Sequence, residues 1–151
     1  MDFRLSPEQE ALRAMVRAVA EREFRPRAAR WDETEEYPHE NVKRLVELGL
    51  MGMTIPREYG GGGRPLLDPL LAVEETARAC GITARIIVDS NYGPTSAIVH
   101  YGTEAQKRKF LPMVVQGDKP AVAITEPEAG SAATDLKTKA RLVGDHYIMN
   151  G

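Results

Sequence analysis

The hydrophobic period changes once along this chain, close to Pro120. Before that point apolar residues recur at three- and four-residue spacing. After it they tend to alternate. Helical spacing gathers apolar side chains on one stripe, whereas alternation gathers them on one face of a strand. The chain is therefore expected to be mainly α: a helical, bundle-like domain over residues 1–119, then the first strands of an incomplete β domain over 120–151. A hairpin with one further strand is marginal by itself, so the β part reads as the opening of a larger unit.

Local signals place the elements. Ser6-Pro7-Glu8-Gln9 is a capping box with proline in the first turn. Leu12, Met15, Val16 and Val19 then form one stripe, opposite Glu8, Arg13, Arg17 and Glu21. Pro26 is expected to kink or end this helix near Phe24, with Trp31 following it as an anchor. A second helix begins near Pro38, carries Val42, Leu45, Val46 and Leu48, and ends at Gly49. The run Leu50–Pro65 is loop-like, and Gly60 to Gly63 in a row within it reads as a flexible connection. It lacks the spacing and the Lys-Ser/Thr of a phosphate loop. Asp68-Pro69 opens a third helix, with Leu70, Leu71, Val73, Ala77 and Cys80 on its apolar side. Ile82–Asp89 is a buried helix or a strand; its helical neighbours favour a helix and its β-branched residues a strand. Thr95–Tyr101 is short and helical, and Thr103-Glu104-Ala105-Gln106 is a second capping box. The helix it opens runs through Phe110, Leu111 and Val114 and stops by Gly117. Ala121–Thr125 is expected as a strand. Leu136–Val143 and His146–Met149 are expected as a hairpin turning at Gly144-Asp145.

Composition narrows the function classes. Apolar residues make up 42% and charged residues 28% of the 151-residue chain, with a formal net charge of −2 and no block of like charge. Bulk electrostatics thus supply no case for nucleic acid or an anionic membrane. The single cysteine, Cys80, allows no internal disulfide and no multi-cysteine metal site. Its apolar helical setting predicts a buried, inert thiol. His39, His100 and His146 match no metal-ligand spacing. The segment M-D-F-R-L-S lacks the apolar run of a leader, and no stretch approaches membrane-spanning length. The expected setting is cytoplasmic.

The segment Ile124–Ser131, I-T-E-P-E-A-G-S, carries the chemical interest. Thr125 offers a hydroxyl and an amide, and Pro127 stiffens a turn. Ala129-Gly130-Ser131 is small enough for a planar or phosphorylated ligand to approach the backbone. On local physics alone an ordinary strand-to-turn connection is the plainer account.

The wider pattern decides between these. Y-G-T-E-A-Q-K at 101–107, F-L-P at 110–112, G-D at 117–118 and I-T-E-P-E-A-G-S-A-A-T-D-L-K-T-K-A at 124–140 follow in order. M-G-M-T-I-P-R-E-Y-G-G at 51–61 precedes them, and G-D-H-Y-I-M-N-G at 144–151 ends the set. This ordered set resembles the acyl-CoA dehydrogenase family over nearly the whole chain. The resemblance implies a helical N-terminal domain and the start of a middle β domain. It implies FAD as cofactor, an acyl-CoA substrate and an electron-transferring flavoprotein or other acceptor. It also implies a homo-oligomer for the complete protein. The strand and turn matching Val122–Ser131 border the flavin in that family, which makes Val122, Ile124, Thr125, Gly130 and Ser131 the implied cofactor residues. Thr125 corresponds to a position beside the isoalloxazine. Ser131 corresponds to one near both the flavin phosphate and the thioester.

Family members that act on acyl-CoAs with an anionic tail use an arginine close to the position of Arg85. Asp89 and Tyr92 fall where that family lines the acyl cavity, so Arg85 and Asp89 are carried as substrate-binding candidates implied by the resemblance, with Tyr92 beside them. An ion pair or a solvent-directed arginine is the plainer account of Arg85, and helix-end hydrogen bonding that of Asp89. No catalytic base is assigned within the chain. The family's carboxylate base and its W-x-T-type flavin segment are expected beyond Gly151. The 151 residues alone are expected to bind flavin poorly and to lack dehydrogenase activity. Ala132 departs from the family pattern, where Asp often follows Gly-Ser, and this leaves room for other thioester chemistry such as desulfination. A stand-alone helical interaction domain is the non-enzymatic alternative.

Overall fold

The computed structural model describes residues 4–151. The first three residues of the segment weighed above as a leader lie outside that range. The described residues divide into two units, one reaching Ala121 and the other spanning Val122–Gly151.

The first unit is helical. Helix α1 (Pro7–Val19) starts from the expected box: the Ser6 hydroxyl accepts from the Gln9 amide and the Gln9 side chain accepts from the Ser6 amide. Leu12, Val16 and Val19 are its buried residues. The helical path does not end at Pro26. A π turn spans Ala20–Phe24, and α2 (Arg25–Thr34) continues from it. The Arg25 amide reaches back five residues to the Ala20 carbonyl. The extra residue widens the turn where the Pro26 ring would otherwise press on a carbonyl four residues back. It also keeps Phe24, only 1% exposed, in the core. Trp31 lies within α2 and is buried.

Helix α3 (His39–Glu47) buries Asn41, Val42 and Leu45. Helices α4 (Leu67–Ala77) and α5 (Gly81–Asn91) pack on α1, α2 and α3. Helix α5 confirms the helical assignment of Ile82–Asp89. Helices α6 (Gly93–Tyr101) and α7 (Glu104–Val115) complete the unit, and α7 starts from the second capping box at Thr103.

Two expectations change here. Leu70 and Ala77 of α4 face outward, Asp68, Pro69, Leu71, Ala72, Glu75 and Thr76 are its buried residues, and Cys80 lies past the helix end at the cap of α5. A stripe chosen by hydrophobicity misses this because Glu75 is buried with two guanidinium partners: Arg13 Nε at 2.9 Å and Arg17 Nε at 2.7 Å. The glycine run is also not a flexible connection. The Gly62, Gly63 and Arg64 amides donate to the carbonyls of Gly52, Ile55 and Met53 at 3.1, 2.9 and 2.8 Å. A Cβ on Gly61 would lie 2.2 Å from the Ile55 carbonyl oxygen, so glycine is there for close backbone approach.

The second unit holds an antiparallel hairpin, β1 (Lys139–Val143) with β2 (His146–Asn150), in the register Arg141 to Ile148. Gly144 turns it with φ +65°. The pairing begins at Lys139 rather than Leu136. Ala121–Thr125 is not a ladder strand. A strand is defined by its partner, and no backbone partner for this segment occurs among the described residues. The fold class stands as expected: mainly α, followed by a small β portion.

Candidate functional site

The turn after Thr125 is built by its own backbone. Glu126 and Ala129 exchange two amide–carbonyl bonds of 3.1 Å, with Pro127 and Glu128 between them. Pro127 presets the first central φ of such a turn. Ala129 is 1% exposed, and Gly130 and Ser131 follow it on the surface.

The Glu126 side chain then reaches across to the stretch leading into β1. Its carboxylate accepts the Lys137 amide at 2.7 Å, the Thr138 amide at 2.9 Å and the Thr138 hydroxyl. The Thr138 hydroxyl first, then the two amides, hold its pKa below the usual carboxylate range. Glu128 adds an exposed pair with Lys137 at 3.3 Å.

A groove of about 590 Å³ runs between these segments, with Ile124, Thr125, Pro127, Leu136 and Met149 in its walls. Ile124 is 51% and Met149 72% exposed, so its apolar surface is open to solvent. Ile124 and Thr125, both expected at a cofactor, line it. Val122, Gly130 and Ser131 do not line it but flank it in the same unit. A Cβ on Gly130 would meet nothing within 4 Å. No crowding within the chain requires glycine there, and open space remains above the backbone.

Residues 6–118 match the family described as acyl-CoA dehydrogenase, N-terminal domain. This chain belongs to the acyl-CoA dehydrogenase family. Among curated relatives it is 48% identical over 149 residues to a 3-sulfinopropanoyl-CoA desulfinase of Cupriavidus necator, covering 99% of this chain and 38% of that one. It is 45% identical over 152 residues to the short-chain specific acyl-CoA dehydrogenase of Clostridium acetobutylicum, covering 100% of this chain and 40% of the relative. Among solved structures, a glutaryl-coenzyme A dehydrogenase in complex with glutaryl-CoA superposes with a TM-score of 0.94 at 35% identity, over 100% of this chain and 39% of that one. An acyl-CoA dehydrogenase of Bacillus anthracis complexed with FAD gives a TM-score of 0.87 at 34% identity, over 97% of this chain and 26% of that one. The chain thus spans about two fifths of the length of these curated relatives.

The other candidates of this acyl-CoA dehydrogenase family member lie on α5, in the first unit. Arg85 is 71% exposed and Asp89 18%, and they form a two-pronged pair of 2.9 and 3.1 Å. The Asp89 carbonyl accepts the Thr95 hydroxyl at 2.9 Å, and the Tyr92 hydroxyl donates to the Leu66 carbonyl at 2.7 Å. Cys80 is buried and accepts the Thr83 hydroxyl at 3.1 Å. Among the described residues no cluster of three or more His, Cys, Asp or Glu is arranged to hold a metal, and no helix is long and apolar enough to cross a membrane. Sequence reasoning passed over Glu126. Its partners stand eleven and twelve residues away, at a separation that no local pattern marks.

Proposed function

We propose that this chain is the N-terminal portion of an FAD-dependent acyl-CoA dehydrogenase, which introduces an α,β double bond into an acyl-CoA thioester. The observation that carries this is the open groove beside Ile124–Pro127, in a chain of that family. Its residues suit a flavin. Ile124, Pro127, Leu136 and Met149 offer apolar walls to a planar ring. Thr125 adds a hydroxyl, and the segment before it makes no backbone-to-backbone hydrogen bond among the described residues. The exposed Gly130-Ser131 backbone leaves room for a phosphate. On this reading Val122, Ile124, Thr125, Gly130 and Ser131 hold the cofactor, and Ser131 also meets the thioester. The flavin, when bound, supplies the hydride acceptor, and the chain supplies its placement.

The groove's one carboxylate is a poor candidate for the α-proton base. Glu126 accepts three hydrogen bonds that hold its pKa below the usual carboxylate range, whereas a general base works best with a pKa near the operating pH. We place the base in another part of the whole protein. An electron-transferring flavoprotein as acceptor, homo-oligomeric assembly and a cytoplasmic setting complete the proposal. The full-length protein should purify with a flavin band near ~450 nm that bleaches on adding a short acyl-CoA. A full-length protein that carries no flavin and cannot be reconstituted with it would remove this function.

A second reading is desulfination of a sulfinated acyl-CoA by the same scaffold. The 48% identity to the Cupriavidus necator desulfinase favours it, as does Ala132 in place of the family's common Asp. Arg85 would then meet the anionic tail, and Asp89 would restrain Arg85. Sulfite release from a sulfinated acyl-CoA without net flavin reduction would select this chemistry. Arg85→Ala should then lower the preference for anionic over neutral acyl chains. An unchanged preference would take Arg85 out of the site.

A further inference from the structure

We propose that Glu126 is the positioning residue of the flavin groove: its carboxylate ties the Ile124–Pro127 wall to the Leu136–Thr138 wall and so fixes the width of the slot. This rests on the proposal that the groove takes the flavin. The two walls are separated by about a dozen residues of chain, and among the described residues they share no backbone-to-backbone hydrogen bond. Two links join them. One is the Glu128–Lys137 pair, whose side chains are 64% and 72% exposed and which therefore constrains little. The other is Glu126, with two backbone amides and one hydroxyl converging on its carboxylate. Bonds to an ionised acceptor are stronger than neutral ones, and amide donors fix the backbone itself rather than a mobile side chain.

The placement matters because the residues on either side of these bonds are groove residues. Thr125 and Pro127 flank Glu126 in one wall, and Leu136 precedes its donors in the other. A ring held between the walls is sensitive to their separation. Releasing the carboxylate leaves each wall to drift, since neither belongs to the β1–β2 ladder. The turn Glu126–Ala129 itself survives, because its two 3.1 Å bonds are backbone to backbone. Glu126 therefore acts on the spacing of the walls and not on the existence of the turn.

The test uses the full-length protein and three variants. Glu126→Gln keeps the shape but presents an amide donor to converging donors. Glu126→Asp keeps the charge on a shorter arm. Thr138→Val removes the hydroxyl and leaves both amide bonds. Two quantities are read: flavin dissociation with the bound-flavin visible spectrum, and hydrogen exchange of the Lys137 and Thr138 amides in flavin-free protein. Glu126→Gln should weaken flavin binding by roughly 10-fold, with a shifted spectrum and faster exchange at both amides. Thr138→Val should give roughly a 3-fold loss, and Glu126→Asp should recover part of the affinity lost in Glu126→Gln. A parent that binds flavin, with Glu126→Gln and Thr138→Val matching it in affinity and amide protection, overturns the role of Glu126 and leaves the flavin site standing. A parent that takes up no flavin overturns both. Should Glu126→Gln not fold, the other two variants decide: parental affinity and spectrum in both removes the proposal, and a graded loss supports it.

Discussion

At the scale of single residues, the first unit depends on one buried charge. The Glu75 side chain is 0% exposed, and Arg13 and Arg17 join α4 to α1 through it. Its pKa is lowered from 4.5 to about 2, chiefly by the hydrogen bond from Arg17 acting against the cost of burial. A carboxylate whose folded pKa is depressed stabilises the fold above its unfolded pKa, and that contribution fades as pH falls through the folded value. Glu75→Gln should therefore lower the urea midpoint at pH 7. The gap to the parent should narrow between 4.5 and about 2 and close below that. A gap that stays constant with pH would mean that Glu75 acts by shape and not by charge. The glycines give a second contrast. Gly61→Ala drives a Cβ against the Ile55 carbonyl at 2.2 Å, whereas Gly81→Ala meets nothing within 4 Å. Gly61→Ala should cost about 1–3 kcal/mol, and Gly81→Ala should stay within about 0.5 kcal/mol of the parent. Paired denaturant melts compare them directly.

At the scale of elements, the connection between α3 and α4 is pinned from the end of α5. The Asn91 amide nitrogen donates to the Leu50 carbonyl at 3.0 Å and the Ile87 carbonyl at 2.9 Å. Its oxygen accepts the Thr54 amide at 3.2 Å, and the Asn91 carbonyl accepts the Thr54 hydroxyl at 2.7 Å. Asn91→Ala removes the side-chain partner of the Leu50 carbonyl and the Thr54 amide and should cost about 1–3 kcal/mol. Asn91→Asp turns an acceptor toward two carbonyls and should cost at least as much. Thermal melts that find both variants equal to the parent would show the network to be incidental. The same elements show what the sequence makes legible. Both capping boxes, at Ser6 and Thr103, could be read from four consecutive residues because every partner is local. The turn at Gly144 was legible for the same reason, whereas the helix over Ile82–Asp89 was favoured by its helical neighbours against its own β-branched residues. The π turn before Pro26 was not, because the cost of ending a helix there is set by Phe24 and Trp31 packing in the core. Nor was the rotation of α4, which depends on arginines of α1 that neutralise Glu75. At the candidate site, the lining role of Ile124 and Thr125 followed from the family pattern. The clamp by Glu126 spans two segments with no shared period, and only the folded chain shows it.

At the scale of the whole chain, the two units differ in what holds them. The first buries a continuous apolar cluster from Leu12 on α1 to Ile87 on α5, with Leu45, Leu50 and Met53 at its centre. In the second, every residue of β1 and β2 is exposed, Tyr147 by 69% and Met149 by 72% among them. A hairpin without a buried face is held by its ladder and its turn, and such a ribbon is marginally stable in water. Hydrogen exchange on the 151-residue chain should separate the units. Amides of α1 and α5 should exchange only through global unfolding, and those of β1 and β2 should exchange orders of magnitude faster through local opening. The consequence for ligand binding follows from the groove's composition. Met149 belongs to β2, and Leu136 and Thr138 lead directly into β1. On the proposal that the groove takes the flavin, a flavin bound by this chain alone must first order the hairpin, and that ordering free energy is subtracted from its affinity. The isolated chain should therefore bind FAD at least ~10-fold more weakly than the full-length protein, measured by flavin fluorescence quenching. Saturating flavin should slow exchange at Thr138 and Met149 and leave α5 unaffected. Equal affinity in the two proteins would mean that the second unit is already ordered without further support.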